Sequence, residues 1–377
     1  MLSKIKAFRK ELHQNPELSG FEAHTAKRIK AFVEANHHPT KIIEEIGGNG
    51  LAVVYEFPQK GATIVIRCEL DALPIEEKNT FEHRSVTQGV SHKCGHDGHI
   101  AMVAGLVFWL KEQTFQSGKI VLLFQPAEET GEGAFEVLKD ERFKNLKPDY
   151  IFALHNIPGE PLNRIVIVPK NFSATVQSLT IHLMGKESHA AEPENGINPA
   201  IGMAEIILEF SKLNVNNPND KHFAVLTPVH LNMGQKSYGI SAGIGELHYT
   251  IRTWTVEVMS TLKERIYKIL NQISMHQGWV YSVDWFEYFP TVQNSDTCNE
   301  FIRKAAQEKG FEVKEKAHPF KFGEDFGWFS QEYQAAMFGL GAGVNTPALH
   351  HADYDFPDEI LETGMDMFKA IIEGVIQ

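Results

Sequence analysis

The spacing of apolar positions changes along the chain, and the changes divide it. Over residues 2–36, Leu2, Ile5, Phe8, Leu12, Ile29, Phe32 and Val33 recur at helical intervals, with an interruption expected near Pro16. Residues 50–57 and 63–68 read as strands; the second run, Thr63-Ile64-Val65-Ile66-Arg67-Cys68, is almost continuously apolar, as in a strand covered on both faces. A helix opening at His99 and running through residues 100–111 follows. Then come a buried strand at 119–124, a helix around 133–138 and a strand at 150–154. This alternation predicts an α/β domain, a mostly parallel sheet with helices on both faces.

From about residue 171 the pattern is different. Strands are expected at 176–183, 224–233, 245–255 and near 280–286, with helices at 198–212 and 258–277. Strand–helix–strand–strand–helix–strand predicts a small α+β (ferredoxin-like) layer with one solvated sheet face. After Pro290 helix and strand alternation returns. Residues 171–287 therefore read as an insert, and residues 1–170 and 288–377 as one α/β domain made from both ends of the chain. A length of 377 residues agrees with more than one core.

Composition narrows the chemistry mainly by exclusion. A net charge of −12 argues against a nucleic-acid surface, which needs clustered Lys and Arg. No apolar run approaches the roughly 20 residues that span a bilayer, and the first residues lack a signal-peptide core, so no membrane partner is expected. Cys68, Cys94 and Cys298 are too few and too scattered for a disulfide framework. A reducing, cytoplasmic setting follows, and there Cys94 is available as a ligand.

The polar residues at the ends of these elements carry the chemical signal. Asp71 follows the 63–68 strand. Cys94-Gly95-His96-Asp97-Gly98-His99 precedes a helix, Glu128-Glu129 follows the 119–124 strand, and His155 ends the 150–154 strand. His350 follows the Gly-rich turn at 341–343. Ligands of open α/β sheets bind outside the carboxyl ends of the strands, and thiolate, imidazole and carboxylate donors gathered there predict a metal site. Adjacent glutamates point in different directions, so one can hold an ion while its neighbour handles a proton.

These motifs resemble the aminoacylase/carboxypeptidase family of dinuclear metallopeptidases, in particular its amidohydrolase branch of N-acetyldiaminopimelate deacetylases, hippurate hydrolases and auxin-conjugate hydrolases. The resemblance runs nearly end to end. It comprises Arg9-x3-His13-x2-Pro16-Glu17, Asp71-Ala72-Leu73-Pro74-Ile75, His92-x-Cys94-Gly95-His96-Asp97-x-His99, Pro126-Ala127-Glu128-Glu129 and Leu154-His155. Further along are His189-Ala190-Ala191-x-Pro193, Glu324-Asp325-Phe326 and His350-x3-Tyr354-Asp355-Phe356. The resemblance implies that Cys94 bridges two divalent ions, Zn²⁺ or Mn²⁺ with Co²⁺ or Ni²⁺ as alternatives. It places His96 and His155 on one ion and Glu129 and His350 on the other. Glu128 would be the general base, and Asp71 would orient a ligating histidine. His189 would stabilise the oxyanion in the partner subunit of a homodimer formed through the insert, and Arg252 would hold the substrate carboxylate. One departure stands out: where such proteins commonly carry Asn-Val-Ile-Pro-Asp, this chain has Gly239-Ile240-Ser241-Ala242-Gly243. The metal chemistry is untouched by it, but an amide expected to line the acyl site is missing.

The leading expectation is an amidohydrolase that removes the acyl group from N-acyl amino acids. A carboxypeptidase or dipeptidase would use the same chemistry on peptides. A non-catalytic metal-dependent binding protein of the same fold is the third reading, and retention of Glu128 opposes it.

Overall fold

A computed structural model describes residues Met1–Ile376. The first half runs α1 (Leu2–Gln14), α2 (Ala23–Asn36), β1 (Lys41–Ile46), β2 (Gly50–Glu56), β3 (Gln59–Glu69), α3 (His96–Leu110), β4 (Ser117–Gln125), α4 (Gly133–Lys139), α5 (Glu141–Lys144), β5 (Tyr150–Ile157) and β6 (Ile165–Ile167). Then come β7 (Thr175–Met184), β8 (Ser188–His189), α6 (Ala200–Ser211), β9 (Ala224–Met233), β10 (Ile240–Ser241), β11 (Ile244–Thr253), α7 (Val256–Gln277) and β12 (Val280–Phe289). The chain ends with α8 (Asp296–Glu308), β13 (Val313–Glu315), α9 (Gly327–Glu332), β14 (Gln334–Gly341) and α10 (Leu361–Ile376). Two compact units result. One contains Met1–Phe172, Val292–Pro319 and the chain from Glu324 on; the other contains Ser173–Thr291 and Phe320–Gly323.

The first unit is built on an eight-stranded sheet, ordered β1-β2-β4-β3-β5-β14-β6-β13. Its centre is parallel: β4, β3, β5 and β14 run the same way, and β13 pairs in parallel with β6. Antiparallel pairs occur at β1–β2, β2–β4 and β14–β6. The expected α/β class with a mostly parallel central sheet is what forms. Ile64 and Ile66 belong to a core shared with α1, α3 and α10, while Val65 between them points to the opposite, equally buried face. Helix α3 is apolar all round and almost wholly buried, which explains why its pattern showed no polar face.

Three local expectations change. The interruption expected near Pro16 is wider than a kink: residues 15–22 leave the helix, Ala72 donates its N–H to the Glu17 carbonyl at 2.8 Å, and α1 and α2 are separate helices. Helix α3 starts at His96 rather than His99, since Gly95 takes a left-handed φ of +96° that ends the preceding loop. Strand β1 has no counterpart in the hydrophobic pattern; two glutamates and a positive φ at Glu45 obscure its alternation.

The second unit has a four-stranded antiparallel sheet, ordered β12-β7-β11-β9. Along β11, Leu247, Tyr249 and Ile251 are buried, whereas Glu246, His248, Thr250 and Arg252 alternate onto the other face. The buried side packs with Met259, Leu262, Ile266 and Leu270 of α7 and with Ile206 and Phe210 of α6. Thr255 caps α7 by accepting the Val258 N–H at 3.3 Å. The segment Phe320–Gly323, distant in sequence, joins this unit: Phe322 O accepts the Ala174 N–H at 3.2 Å. Among the described residues no helix is long and apolar enough to cross a membrane.

Candidate metal centre

Five of the residues singled out in the sequence converge in the first unit. The ligand atoms of Cys94, His96 and His155 lie within 4.8 Å of one another, and so do those of Cys94, Glu129 and His350. Cys94 is common to both triads. Its Sγ is 3.6 Å from His155 Nε2.

Each side chain is aimed by its own backbone. His155 sits within β5, and its Nδ1–H donates to the Asn156 carbonyl at 2.9 Å, which leaves Nε2 as the lone pair facing Cys94. His96 opens α3; its Nδ1–H donates to the Asp71 carbonyl at 2.8 Å. Its Nε2 is buried without a hydrogen-bond partner among the described residues, 3.9 Å from Glu128 Oε2 and from Glu129 Oε1. Glu128 and Glu129 follow β4 through Ala127, held at φ +51°, with Gly133 N–H donating to the Ala127 carbonyl at 3.1 Å. A left-handed alanine costs about 1–2 kcal/mol, and such strain tends to persist where a site requires it. His350 also has positive φ (+66°), and its backbone N–H is anchored on Lys93 O at 2.8 Å. Its Nε2 is 3.7 Å from Glu129 Oε1. Gly95 cannot be replaced without strain, since a Cβ there would meet Asn156 Oδ1 at 2.7 Å.

Asp71 supports rather than completes the triads. Its Oδ2 accepts the Ser19 hydroxyl at 2.7 Å and the Glu129 N–H at 2.9 Å, and its Oδ1 is 3.5 Å from His96 Nδ1. A second buried layer lies behind these residues; the sequence motifs contained its His99, Glu324 and Asp325, and sequence reasoning passed over Arg67, Glu69 and Asn156. His99 Nδ1 meets Glu69 at 2.7 Å and its Nε2 meets Asn156 at 2.6 Å. Arg67 is fully buried and pairs with Glu69, with Glu324 at 3.0 Å and with Asp325 at 2.7 Å. The Asp325 N–H reaches Glu128 Oε1 at 3.3 Å. The available signal was Arg67 and Glu69 inside an otherwise apolar strand, where charge is tolerated only when paired.

The electrostatics call for cations. Burial, reinforced by Glu324, Glu129, Asp325 and Asp71, drives the Glu128 carboxyl well above its ordinary range. Burial also lifts Glu129 to about 7, against the opposing pull of His96. Burial, with Glu129, Glu128 and Glu69 adding to it, pushes the Cys94 thiol far up. Burial lowers His155 to about 3, so it is neutral and able to ligate at ordinary pH. For His96, burial is outweighed by the Asp71 hydrogen bond and the charges of Glu69, Asp71 and Glu129, which raise it to about 10. A divalent ion in each triad would relieve this excess of buried carboxylate and employ the unpartnered atoms, His96 Nε2 and Glu129 Oε1. Mixed thiolate, imidazole and carboxylate donors fit such ions.

His189 and Arg252 belong to the second unit. His189 is exposed on β8, which pairs with β10, and its Nδ1 accepts the Ala191 N–H at 3.0 Å. With Nδ1 accepting, Nε2 is the ring nitrogen that carries a proton and can donate. The departing segment at 239–243 supplies β10, so it is the strand that holds His189, and Ala190 donates its N–H to Gly239 O at 3.0 Å. Arg252 Nε donates to Lys321 O at 3.0 Å and Nη1 to Thr250 Oγ1 at 3.2 Å. Burial pulls its guanidinium pKa down, and among the described residues no carboxylate pairs with it.

Comparison with known proteins agrees with this geometry. Residues 65–374 match the model of peptidase family M20/M25/M40. The chain is 33% identical to the N-acetyl-L-cysteine deacetylase of Bacillus subtilis over 342 residues, covering 90% of this chain and 80% of that one. It is 30% identical to the N-acetyldiaminopimelate deacetylase of Brevibacillus brevis over 366 residues, covering 96% of each. Among solved structures, a dinuclear metal-binding peptidase from Bacillus subtilis superposes with a TM-score of 0.85 at 27% identity, over 100% of this chain and 98% of that one. The chain belongs to peptidase family M20/M25/M40.

Proposed function

We propose that this protein is a metal-dependent amidohydrolase that releases a small acyl group from N-acyl amino acids. The observation that carries the reading is the pair of triads sharing Cys94. Cys94 would bridge two ions, with His96 and His155 on one and Glu129 and His350 on the other. Zn²⁺ or Mn²⁺ are the favoured occupants, and Co²⁺ or Ni²⁺ suit the same donors. When bound, the ions supply Lewis acidity to the amide carbonyl and acidify a water molecule.

The remaining work falls to side chains. Glu128, beside both triads and steadied by the Asp325 N–H, takes the proton from water and delivers it to the departing amine. Its elevated pKa suits the second task, because an acid must hold its proton until the C–N bond breaks. Asp71 holds the His96 side of the site. His189, with Nε2–H available, would stabilise the oxyanion of a partner subunit, and Arg252 would bind the substrate carboxylate. The deacetylase names of relatives favour acyl amino acids over peptides as substrates. Three buried, unpaired cysteines agree with a reducing cytoplasm.

A homodimer through the second unit has physical support. Strand β9 is a sheet edge, and Val229, Leu231 and Met233 are exposed along it, as are Ile201 and Leu208 of α6. An open edge beside apolar side chains is a surface that a second copy would cover. The deciding experiment is turnover by protein of known metal content, on N-acetyl and N-benzoyl amino acids against a dipeptide panel. Cleavage of dipeptides alone would replace the proposal with a dipeptidase; no turnover at all would favour a binding protein.

A further inference from the structure

We propose a separate transition-metal site on the open face of the second unit's sheet, held by His230, His248 and Glu246. In the β11–β9 pair His248 stands directly opposite His230. Glu246 lies two residues before His248, so the strand period brings all three to one face. Their ligand atoms lie within 4.8 Å of one another, and the two imidazole centroids are 5.2 Å apart. The register shifts between His248 and Tyr249, and a bulge of this kind re-aims the side chain beside it.

The polar contacts leave a gap that an ion fits. His248 Nδ1 is bonded to the Thr180 hydroxyl at 3.0 Å. In the tautomer whose Nδ1–H donates to that hydroxyl, Nε2 is the ligating atom; it is buried and has no hydrogen-bond partner among the described residues. It faces Glu246 Oε1 at 3.6 Å, too far for a hydrogen bond and close for a lone pair opposite a carboxylate. A cation between them gives Nε2 its partner and adds to the single long contact, 3.4 Å from Asn232 Nδ2, that Oε1 accepts. His182 brackets the same carboxylate from β7: its Nδ1 is 3.9 Å from Glu246 Oε2, and its Nε2 is tied to Asp284 at 3.1 Å. Glu246 and His182 also line a cavity of about 370 Å³, which gives an ion and its waters access. Two imidazoles and one carboxylate select Zn²⁺, Ni²⁺, Co²⁺ or Cu²⁺ over Mg²⁺ or Ca²⁺. An ion here would clip the edge strand β9 to its neighbour. The proposal is independent of what the Cys94 triads bind or catalyse.

The test counts bound zinc. The full-length chain, its His230→Ala and His248→Ala variants and a Glu246→Gln variant are saturated with Zn²⁺, desalted and measured by elemental analysis and calorimetric titration. Each variant is expected to hold one zinc fewer per chain than wild type, with acyl amino acid turnover unchanged and the same melting temperature in EDTA. Because every protein compared retains the Cys94 triads, the difference is unaffected by how full those are. Equal zinc content in wild type and in the variants that melt normally would overturn the site.

Discussion

Cys94, His96 and His155 are 7%, 1% and 4% exposed, whereas His230, Glu246 and His248 stand on a sheet face that water reaches. The donors are similar, but the settings are not. A buried polar atom left without a partner costs about 1–3 kcal/mol, so the Cys94 region is unstable as a set of bare side chains and strongly favours bound ions. On the open face His230 is exposed and Glu246 and His248 are half-buried, so water reaches part of the cluster, and an ion there competes with solvent everywhere but at the buried His248 Nε2. The buried triads are also backed by Glu69, His99, Asn156, Arg67 and Asp325, while the open-face cluster meets Thr180, His182 and Asn232 and, through His182, Asp284. Depth of support, rather than ligand type, separates a reaction centre from an accessory ion site.

The largest expected effect tests whether the buried region is catalytic. Glu128→Gln should lower hydrolysis by about 10²–10⁴-fold, the usual contribution of a general acid–base group, while elemental analysis shows unchanged metal content. A loss of metal together with activity would make Glu128 a ligand instead.

Next comes the support of the buried region by α1. His13 is fully buried between Asp97 at 2.9 Å and Glu77 at 2.9 Å. Burial lowers its pKa, but Asp97 and Glu77 override this and raise it to about 9 from the usual 6.5. A raised folded-state pKa means stability that is complete below about 6.5 and is lost as pH climbs through about 9. The loss should be on the order of 3 kcal/mol, measurable as a fall in denaturation midpoint across that window. His13→Gln should be less stable at neutral pH and flatter across the same range. A wild-type profile that is flat from neutral to alkaline pH would remove this account.

Smaller again is Arg252→Ala. Loss of a charge-assisted contact should reduce kcat/KM roughly 10- to 100-fold, mainly through KM. Substrates lacking the carboxylate should show no such loss. If both substrate types suffer equally, Arg252 acts through the Lys321 carbonyl that it holds in place and not on the substrate. The alanine substitutions at His230 and His248 close the series, with no effect expected on turnover.

By itself the sequence determined the two kinds of element and the donors. Unbroken apolar runs such as 63–68 require a strand buried on both faces, and alternation along β11 requires one buried face, because side-chain direction follows backbone period. Strand ends then marked Asp71, Glu128, Glu129 and His155 without any coordinates. Local pattern failed where long-range contact decides the outcome. The start of α3 depends on Gly95 fitting against Asn156, and the Arg67–Glu69–Asp325 layer joins residues that are 258 apart in the chain for the Arg67–Asp325 pair. The Phe320–Gly323 segment lies with a unit otherwise made of residues 173–291. The resemblance implied a shared Cys94, but only the tertiary structure gives the two triads their distances, or sets His230 opposite His248. Donor chemistry is a property of residue type, but coordination is a property of distance, and distances between separated segments are decided when the strands choose their neighbours.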